Sequence, residues 1–266
     1  MKGFIVLLLL GFLDQSLQGD VYCRDENNNP VDWYVLYKFP RLKTNSNPFL
    51  KKGNGYMFIT SESLNDGWQI SKNTIDGNSS ILAKTLPYLN HAQPKQVLWF
   101  TYNDQGKGFC FTCGHTKGMV AGDKSGGIWL IHSIPRLIDH NYPGTGYRNA
   151  QSALCISLSQ QELNSVGDLL IYNTPKFQRW NIAKELESLY PNIMAAFKKM
   201  KPTSPWTLTK SITTLNGNKI QAFAKAGSFH KDLYEWVASD LKTDLLVETW
   251  INELFPLPSS CKLNYR

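Results

Sequence analysis

The most constraining feature of the sequence is a short run of bulky apolar residues between a Gly-Gly turn and a proline. Residues 127–132 read Gly-Ile-Trp-Leu-Ile-His, and the run ends at Pro135. Such a run, without alternating polar residues, is typical of a strand that is buried on both faces. It therefore predicts a central strand in a sheet that is covered on both sides.

Strand-like and helical patterns alternate along the rest of the chain. Residues 31–37 and 97–102 are rich in β-branched and aromatic residues, which favour strands. Residues 209–215 and 219–226, joined by an Asn-Gly pair, predict a hairpin.

Helical spacing of apolar residues follows the capping-box sequence 159–162, Ser-Gln-Gln-Glu. Further helices are predicted over 182–200, with an interruption at Pro191, and over 232–241. A last strand is predicted over 245–250. Mixed elements of this kind indicate an α/β or α+β sandwich.

The first residues have the composition of a secretory signal peptide. Lys2 precedes an apolar run over residues 4–13, which is too short for a bilayer, since spanning one needs about 20 residues. We expect residues 1–19 to be a signal peptide and residues 20–266 to form the mature domain. No later apolar stretch is long enough to be a membrane anchor, so the protein is predicted to be secreted or lumenal.

A secreted or lumenal protein is in an oxidising compartment, where cysteines form disulfides. The cysteines of this chain are Cys23, Cys110, Cys113, Cys155 and Cys261. Most cysteines of secreted proteins pair, and an odd number leaves a free thiol, an intermolecular bridge or a cysteine whose partner is missing. Asn78-Ser79-Ser80 is an N-glycosylation sequon, which predicts that Asn78 lies on an exposed loop.

Charge favours an anionic partner. The chain has 28 Lys and Arg residues against 21 Asp and Glu, a formal net charge of +7. A positive field attracts nucleic acid, acidic glycan or membrane surfaces. Hydrophobic residues make up 42% of the chain, which excludes a disordered chain.

His115-Thr116-Lys117 is the pattern with the most direct chemical meaning. If this segment is extended, His115 and Lys117 point to the same face, because side chains of a strand repeat every two residues. A lysine ammonium can hold phosphoryl oxygens while an imidazole acts as nucleophile or proton donor. The pattern predicts a phosphate site, with an exposed strand end as the plain alternative.

A competing interpretation takes Cys110, Cys113 and His115 as zinc ligands, with His132 as the fourth, because C-x-x-C has zinc-compatible spacing. A single such pair in a secreted chain is more often a local disulfide.

Several longer motifs resemble those of the deoxyribonuclease II family. They occur in the family's order and cover nearly all of residues 21–262, so they are far more specific than H-x-K alone. The matching segments are Cys23-Arg24-Asp25-Glu26, Pro30–Lys38, Tyr102-Asn103-Asp104-Gln105, Gly114–Gly118, Gly126–Pro135, Leu154-Cys155-Ile156-Ser157, Phe223-Ala224-Lys225, Asp232-Leu233-Tyr234 and Leu257–Cys261.

This resemblance implies a phospholipase D-like fold. Two mixed-sheet α/β halves would form a pseudo-dimer with one shared site, the first half spanning about residues 20–158 and an incomplete second half about residues 159–266. It also implies a disulfide between Cys23 and Cys155, as well as a secreted or lysosomal location.

The chemistry implied by the resemblance is that of an acid endonuclease that cleaves DNA without a metal or other cofactor and leaves 3′-phosphates. One histidine attacks phosphorus, while a second protonates the 5′-oxygen and then activates water. By motif position, His115 and Lys117 are the contribution of the first half. His132 matches a further histidine near the site.

One departure from the family concerns its second H-x-K, expected a few dozen residues after the segment that ends at Cys261. The printed chain ends at Arg266, and no other histidine has a lysine two positions on. Cys261 likewise lacks its expected downstream partner, which leaves Cys110 and Cys113 to pair with each other. We therefore expect a truncated or divergent member.

Two functions remain open for such a member. It is an active endonuclease, with a homodimer as one source of a second histidine, or it is a secreted DNA-binding relative without turnover. A secreted zinc-binding module is the third alternative.

Overall fold

The computed structural model describes residues 21–89, 96–108 and 110–247. Its β-strands are β1 (Cys23–Arg24), β2 (Pro30–Val31), β3 (Trp33–Lys38), β4 (Tyr56–Thr60), β5 (Gln69–Ile70), β6 (Leu98–Asn103), β7 (Lys117–Gly122), β8 (Gly126–His132), β9 (Gln151–Ser159), β10 (Phe177–Asn181), β11 (Thr207–Thr213) and β12 (Lys219–Lys225). Its α-helices are α1 (Pro48–Lys52), α2 (Ile81–Thr85), α3 (Gln160–Asn173), α4 (Pro191–Phe197) and α5 (Leu233–Leu241).

One large sheet organises these elements. Eight strands form it in the order β10-β6-β7-β8-β9-β3-β4-β5, and every neighbouring pair is antiparallel. The pairs β1–β2 and β11–β12 form separate two-stranded sheets. The chain therefore has an α+β fold, as the mixed elements predicted.

Both faces of the sheet are covered, which confirms the prediction from the apolar run. In β8 every residue is buried except the half-buried Ile131. Neighbouring residues of β6 divide between the faces: Trp99 joins the apolar cluster of Tyr34 and Leu36, and Phe100 joins the cluster that includes α3. The alternating side chains of a strand thus enter two cores.

Helix α3 begins where the capping sequence predicted. The Ser159 hydroxyl accepts a hydrogen bond from the Glu162 backbone N–H at 3.3 Å, which satisfies one of the free donors of the first turn. Leu163, Val166 and Leu170 are buried against the sheet. Each such burial contributes about 1.5–3 kcal/mol.

The predicted hairpin is present as β11 and β12, with Gly217 at a φ of 87° in the turn. The buried Asp32 holds this turn: it accepts hydrogen bonds from the Thr214 hydroxyl at 2.6 Å, the Asn216 N–H at 2.8 Å and the Asn218 amide at 2.8 Å. A carboxylate beside β2 therefore links the hairpin to the start of the large sheet.

Two predicted elements differ from the structure. Over 182–200 the α-helix is confined to α4, because Pro191 is a starting residue of that helix and Lys184–Leu186 is only a 3-10 turn. Helix α5 ends at Leu241, and its C-cap Lys242 has a φ of 52°. Residues 245–247 do not form a strand, and no strand of the described residues pairs with them. Residues 248–250, the predicted signal peptide and Cys261 lie outside the described residues.

The edge strand β10 was not predicted. It comes after α3, within the expected second half, yet it pairs with β6 of the large sheet.

Within the described ranges, no helix has both the length and the apolar character that crossing a membrane requires.

Candidate active site

The predicted site residues lie at one end of the large sheet. There β6 ends at Asn103, β7 begins at Lys117 and β8 ends at His132. Asn103 is directly opposite Lys117, and Gly118 is opposite Ile131, so Lys117 and His132 occupy neighbouring register positions. The antiparallel order of three strands brings these distant residues together.

Asp104 joins His115 to Lys117. Its Oδ1 lies 2.7 Å from Lys117 Nζ, and its Oδ2 lies 3.6 Å from His115 Nε2. The side chain of Lys117 is 5% exposed, that of Asp104 is 18% exposed and that of His115 is 80% exposed. The site is thus a buried cation under an exposed imidazole, with a carboxylate between them.

The turn before β7 places His115. The Gly114 N–H donates to Thr174 O at 3.0 Å, and the Thr116 N–H donates to Gly114 O at 2.9 Å. A Cβ on Gly114 would lie 2.0 Å from Asn173 O, so this approach to the end of α3 requires glycine. His115 therefore precedes the strand rather than belonging to it, and a turn brings it to the carboxylate that Lys117 also contacts.

His132 is buried beside this group. Its Nδ1 accepts a hydrogen bond from the Ile134 N–H at 3.1 Å. Burial, and secondly the charge of Lys117, lower the pKa of His132 to about 3. A neutral imidazole that accepts at Nδ1 carries its proton on Nε2, so His132 is a hydrogen-bond donor at that atom.

The segment after His132 is fixed by a buried amide. Asn103 is fully buried, and its Nδ2 donates to Ile134 O at 3.1 Å and to Leu137 O at 3.3 Å. Both carbonyls belong to the chain that leaves β8. Asn103 therefore stabilises the backbone whose N–H sets the protonation of His132.

Two disulfides are present, and they bear on the zinc interpretation. Cys23 is bonded to Cys155, and Cys110 is bonded to Cys113. Zinc is bound by thiolates, which a disulfide does not offer, so Cys110 and Cys113 do not form the predicted zinc site with His115. Among the described residues, no group of three or more His, Cys, Asp or Glu side chains has the arrangement of a metal site.

Asp104 is the site residue that sequence reasoning missed. It lies within the segment Tyr102-Asn103-Asp104-Gln105 that carried part of the resemblance, but nothing local gives it a role. The only available signal was its position directly after an apolar strand-like run, which predicts a side chain at the end of a strand. Its contact with Lys117 depends on the pairing of β6 with β7.

The family model described as deoxyribonuclease II matches residues 22–266 of this chain. The chain is 31% identical to plancitoxin-1 of Acanthaster planci over 275 residues, which is 98% of this chain and 76% of that protein. It is 29% identical to human deoxyribonuclease-2-beta over 278 residues, covering 100% of this chain and 76% of the relative. With rat deoxyribonuclease-2-alpha the identity is 31% over 252 residues, covering 90% and 71% respectively.

Proposed function

Because the chain belongs to the deoxyribonuclease II family, we propose that it hydrolyses DNA phosphodiester bonds at the site formed by Asp104, His115 and Lys117. The observation that carries the proposal is that His115 and Lys117 both contact the carboxylate of Asp104. Lys117 Nζ lies 2.7 Å from Oδ1, and His115 Nε2 lies 3.6 Å from Oδ2. This pairs a fixed cation with an accessible nucleophile, the combination that attack on a phosphodiester requires.

Phosphate binding is the first proposed step. A phosphodiester oxygen takes the place of Asp104 beside Lys117 Nζ, and the buried ammonium neutralises charge on the phosphoryl group. A buried amine is more effective here than an exposed one, since electrostatic interactions strengthen away from water. The carboxylate, facing His115 Nε2, then favours a proton on that nitrogen and leaves the lone pair on Nδ1.

Bond exchange follows at phosphorus. An imidazole nitrogen of His115 forms a bond to phosphorus, the P–O5′ bond breaks, and the 5′-oxygen leaves with a proton from a general acid. Water then attacks the phosphohistidine, gives up a proton to a base, and releases a 3′-phosphate and free His115. The proposed route uses groups of the protein, the substrate and water.

The role proposed for His132 is to bind the phosphate rather than to supply the proton. Its low pKa keeps the imidazole neutral in mildly acidic solution, so it has no extra proton to give there. Its Nε2–H remains a donor for a phosphoryl oxygen, fixed by the Ile134 contact at Nδ1.

The general acid is proposed to be His115 of a second copy of the chain. The sequence contains one H-x-K, at His115. In a homodimer whose two copies of this site face each other, one His115 would be the nucleophile and the other the acid. Sedimentation at working concentration tests this step. A sample that cuts DNA while remaining monomeric contradicts it.

Location and organisation belong to the same proposal. The apolar leader after Lys2, the two disulfides and the exposed Asn78 in its sequon support a secreted or lysosomal glycoprotein. We also place the division between two phospholipase D-like halves near residues 158–159, where β9 ends and α3 begins.

Plasmid nicking at about pH 5 in EDTA tests the activity. We expect the wild-type protein to nick and His115→Ala to lose at least about 10²-fold of the rate. His230→Ala is the matched control, because His230 is also exposed and lies outside the site. Equal rates for wild type and His115→Ala overturn the proposal. DNA binding without any nicking by the wild type would instead favour the non-catalytic relative.

A further inference from the structure

A lysine-rich segment follows helix α4. Lys198, Lys199 and Lys201 are all exposed, and none of them forms an ion pair with a carboxylate in the part of the chain that the structure describes. Three like charges within four residues repel one another, and an anion bound among them would relieve that repulsion. The segment therefore presents unneutralised positive charge to solvent.

Lys199 is held in a backbone conformation that favours glycine. Its φ is 56°, in the left-handed region where a side chain is strained and where glycine commonly follows a helix. Lysines near a helix C-terminus do interact favourably with the helix dipole, which accounts for Lys198, the C-cap of α4. The dipole does not account for lysine in place of glycine at position 199, so the charge there needs a second reason.

Contacts on both sides hold the lysine segment. Before it, Phe197 stacks on Phe177 with the ring centroids 4.0 Å apart. After it, the Tyr172 hydroxyl donates to Thr203 O at 3.4 Å. The segment is thus held against residues 172–177, where α3 ends and β10 begins.

The candidate active site rests on the same residues 172–177. The Gly114 N–H, in the turn that carries His115, donates to Thr174 O at 3.0 Å. The Asn103 N–H, at the end of β6, donates to Lys176 O at 3.0 Å. One short stretch of chain therefore supports both the site and the lysine segment.

The distance across the sheet between them is short. Phe177 is opposite Tyr102 on β6, and the next residue of β6, Asn103, is opposite Lys117. Two strand spacings and one residue put the backbones of Phe177 and Lys117 about 10 Å apart. Because each base pair adds about 3.4 Å, a duplex with a phosphate at Lys117 reaches the lysine segment within about five base pairs.

We propose that Lys198, Lys199 and Lys201 bind backbone phosphates of duplex DNA that flank the phosphate at the candidate active site. The inference rests on the proposed function and extends it to the length of DNA that the protein holds. Phosphate contacts position a duplex without reading its sequence, so the segment orients the reacting strand and does not select it. Met200, between these lysines, is 56% exposed, which makes an anionic bilayer the alternative occupant, and the test separates the two.

The test measures how salt weakens DNA binding, with cleavage removed by His115→Ala. Replacement of Lys198, Lys199 and Lys201 by glutamine should lower the slope of log binding constant against log salt concentration by about 2.7 for a fluorescent duplex of about 20 base pairs, since each phosphate contact contributes about 0.9. In the protein that keeps His115, the same replacements should raise the KM for plasmid nicking and leave kcat near the wild-type value.

Lys199→Gly separates a binding role from a structural one. Glycine suits the left-handed φ at this position, so the melting temperature should not fall. The salt slope should nevertheless fall by about 0.9, because one phosphate contact is lost. A lower melting temperature with unchanged DNA binding would show that Lys199 only ends the helix, which overturns its part in the inference.

Glutamine at Lys124, Lys184 and Lys219 is the matched control, because it removes the same charge from exposed positions. These lysines lie at the other end of the sheet, in the turn between β7 and β8, after β10 and at the hairpin turn that bonds Ser157 O near the end of β9. The control should keep the slope of the parent protein.

An equal fall in slope for the two triple variants overturns the inference. So does a variant of the lysine segment that loses binding to anionic phospholipid vesicles while its DNA slope is unchanged. A parent protein that binds no duplex overturns the proposed function itself, whereas parent-like DNA binding by the variant of the lysine segment overturns only this inference.

Discussion

Lys117 Nζ lies 2.7 Å from Asp104 Oδ1, so the buried cation of the candidate site is already paired before a phosphate arrives. The pairing solves a stability problem, because an isolated ammonium with 5% exposure would be costly to bury. In the proposed mechanism it also creates competition, because the phosphate takes the place of the carboxylate beside Lys117.

Replacement of Asp104 by asparagine separates these effects. We expect Asp104→Asn to lower the KM for DNA several-fold, because one negative charge next to the phosphate is removed. The kcat should fall about tenfold, the value of one hydrogen bond to a charged group, since His115 loses the carboxylate that it faces. Steady-state nicking at several DNA concentrations measures both constants.

Asp168→Asn is the control for that variant. Asp168 also pairs with a lysine, Lys210, but it lies on α3 and is not part of the candidate site. Both constants should stay near the wild-type values. A rise in KM with unchanged kcat for Asp104→Asn would contradict the competition described above.

His132 should make the fold less stable in acid. Its pKa falls from 6.5 to about 3 on folding, first through burial and second through Lys117. Between those values the unfolded chain binds a proton that the folded chain does not, so this contribution is complete above about pH 6.5 and is lost as the pH falls toward 3. The limiting slope is about 1.4 kcal/mol per pH unit.

His132→Asn tests this dependence, because the amide oxygen can still accept from the Ile134 N–H. The free energy of unfolding of this variant should change less between pH 6.5 and pH 4 than that of the wild type. Urea denaturation at several pH values measures the difference. Parallel profiles for the two proteins would show that His132 is not held neutral.

Asp76 makes a second acid-sensitive contribution. Burial would raise its pKa, but hydrogen bonds from Thr74, Tyr147, Lys52 and Asn54 outweigh burial and hold the pKa well below its usual range. This stability is therefore present above about pH 4, the pKa of an unfolded aspartate, and is lost as the pH falls through the lower folded value.

Asp76→Asn should reduce the free energy of unfolding at pH 7 by about 2 kcal/mol, with a smaller deficit at pH 3. Denaturation at both pH values measures it, and Asp66→Asn at an exposed site should have little effect. A deficit that is the same at pH 7 and pH 3 would contradict a role for the ionised carboxylate.

The two disulfides should stabilise the fold by different amounts. Cys23–Cys155 closes a sequence separation of 132, whereas Cys110–Cys113 closes one of three, and stabilisation grows with the length of the closed loop. Serine at positions 23 and 155 should cost about 2–5 kcal/mol of unfolding free energy. Serine at positions 110 and 113 should cost much less, because the loop that this disulfide closes is so short. Equal destabilisation by the two double variants would contradict this.

The fold could be predicted where the signal is local. Buried strand β8 was evident from its apolar run, α3 from the cap at Ser159, and the β11–β12 hairpin from its Asn-Gly turn. The edge strand β10 has a different origin, since Phe177 pairs with Tyr102 and Asn181 with Trp99 across a long separation. The residues of β10 are half-buried or exposed. The strand therefore lacks the apolar run that identified β8.

The candidate site shows the same division. His115 and Lys117 were found because they are two positions apart and carry recognisable chemistry. Asp104 reaches them only through the pairing of β6 with β7, and the low pKa of His132 results from burial that no short motif specifies. Local patterns thus identified the groups proposed to react, whereas tertiary structure decides their charge and contacts.

The close approach of Gly114 to α3 provides the last prediction. A Cβ at position 114 would lie 2.0 Å from Asn173 O, so Gly114→Ala must move the turn that carries His115 away from the helix. Because the displaced group is the proposed nucleophile, and small misplacements of reacting atoms cost about 10²-fold in rate, we expect kcat to fall by that order. Gly144→Ala is the control, since a Cβ there meets nothing within 4 Å. Nicking rates and far-UV thermal melts of both variants should show a loss of rate confined to Gly114→Ala, with the fold retained, and an unchanged rate for that variant would show that the turn does not position His115.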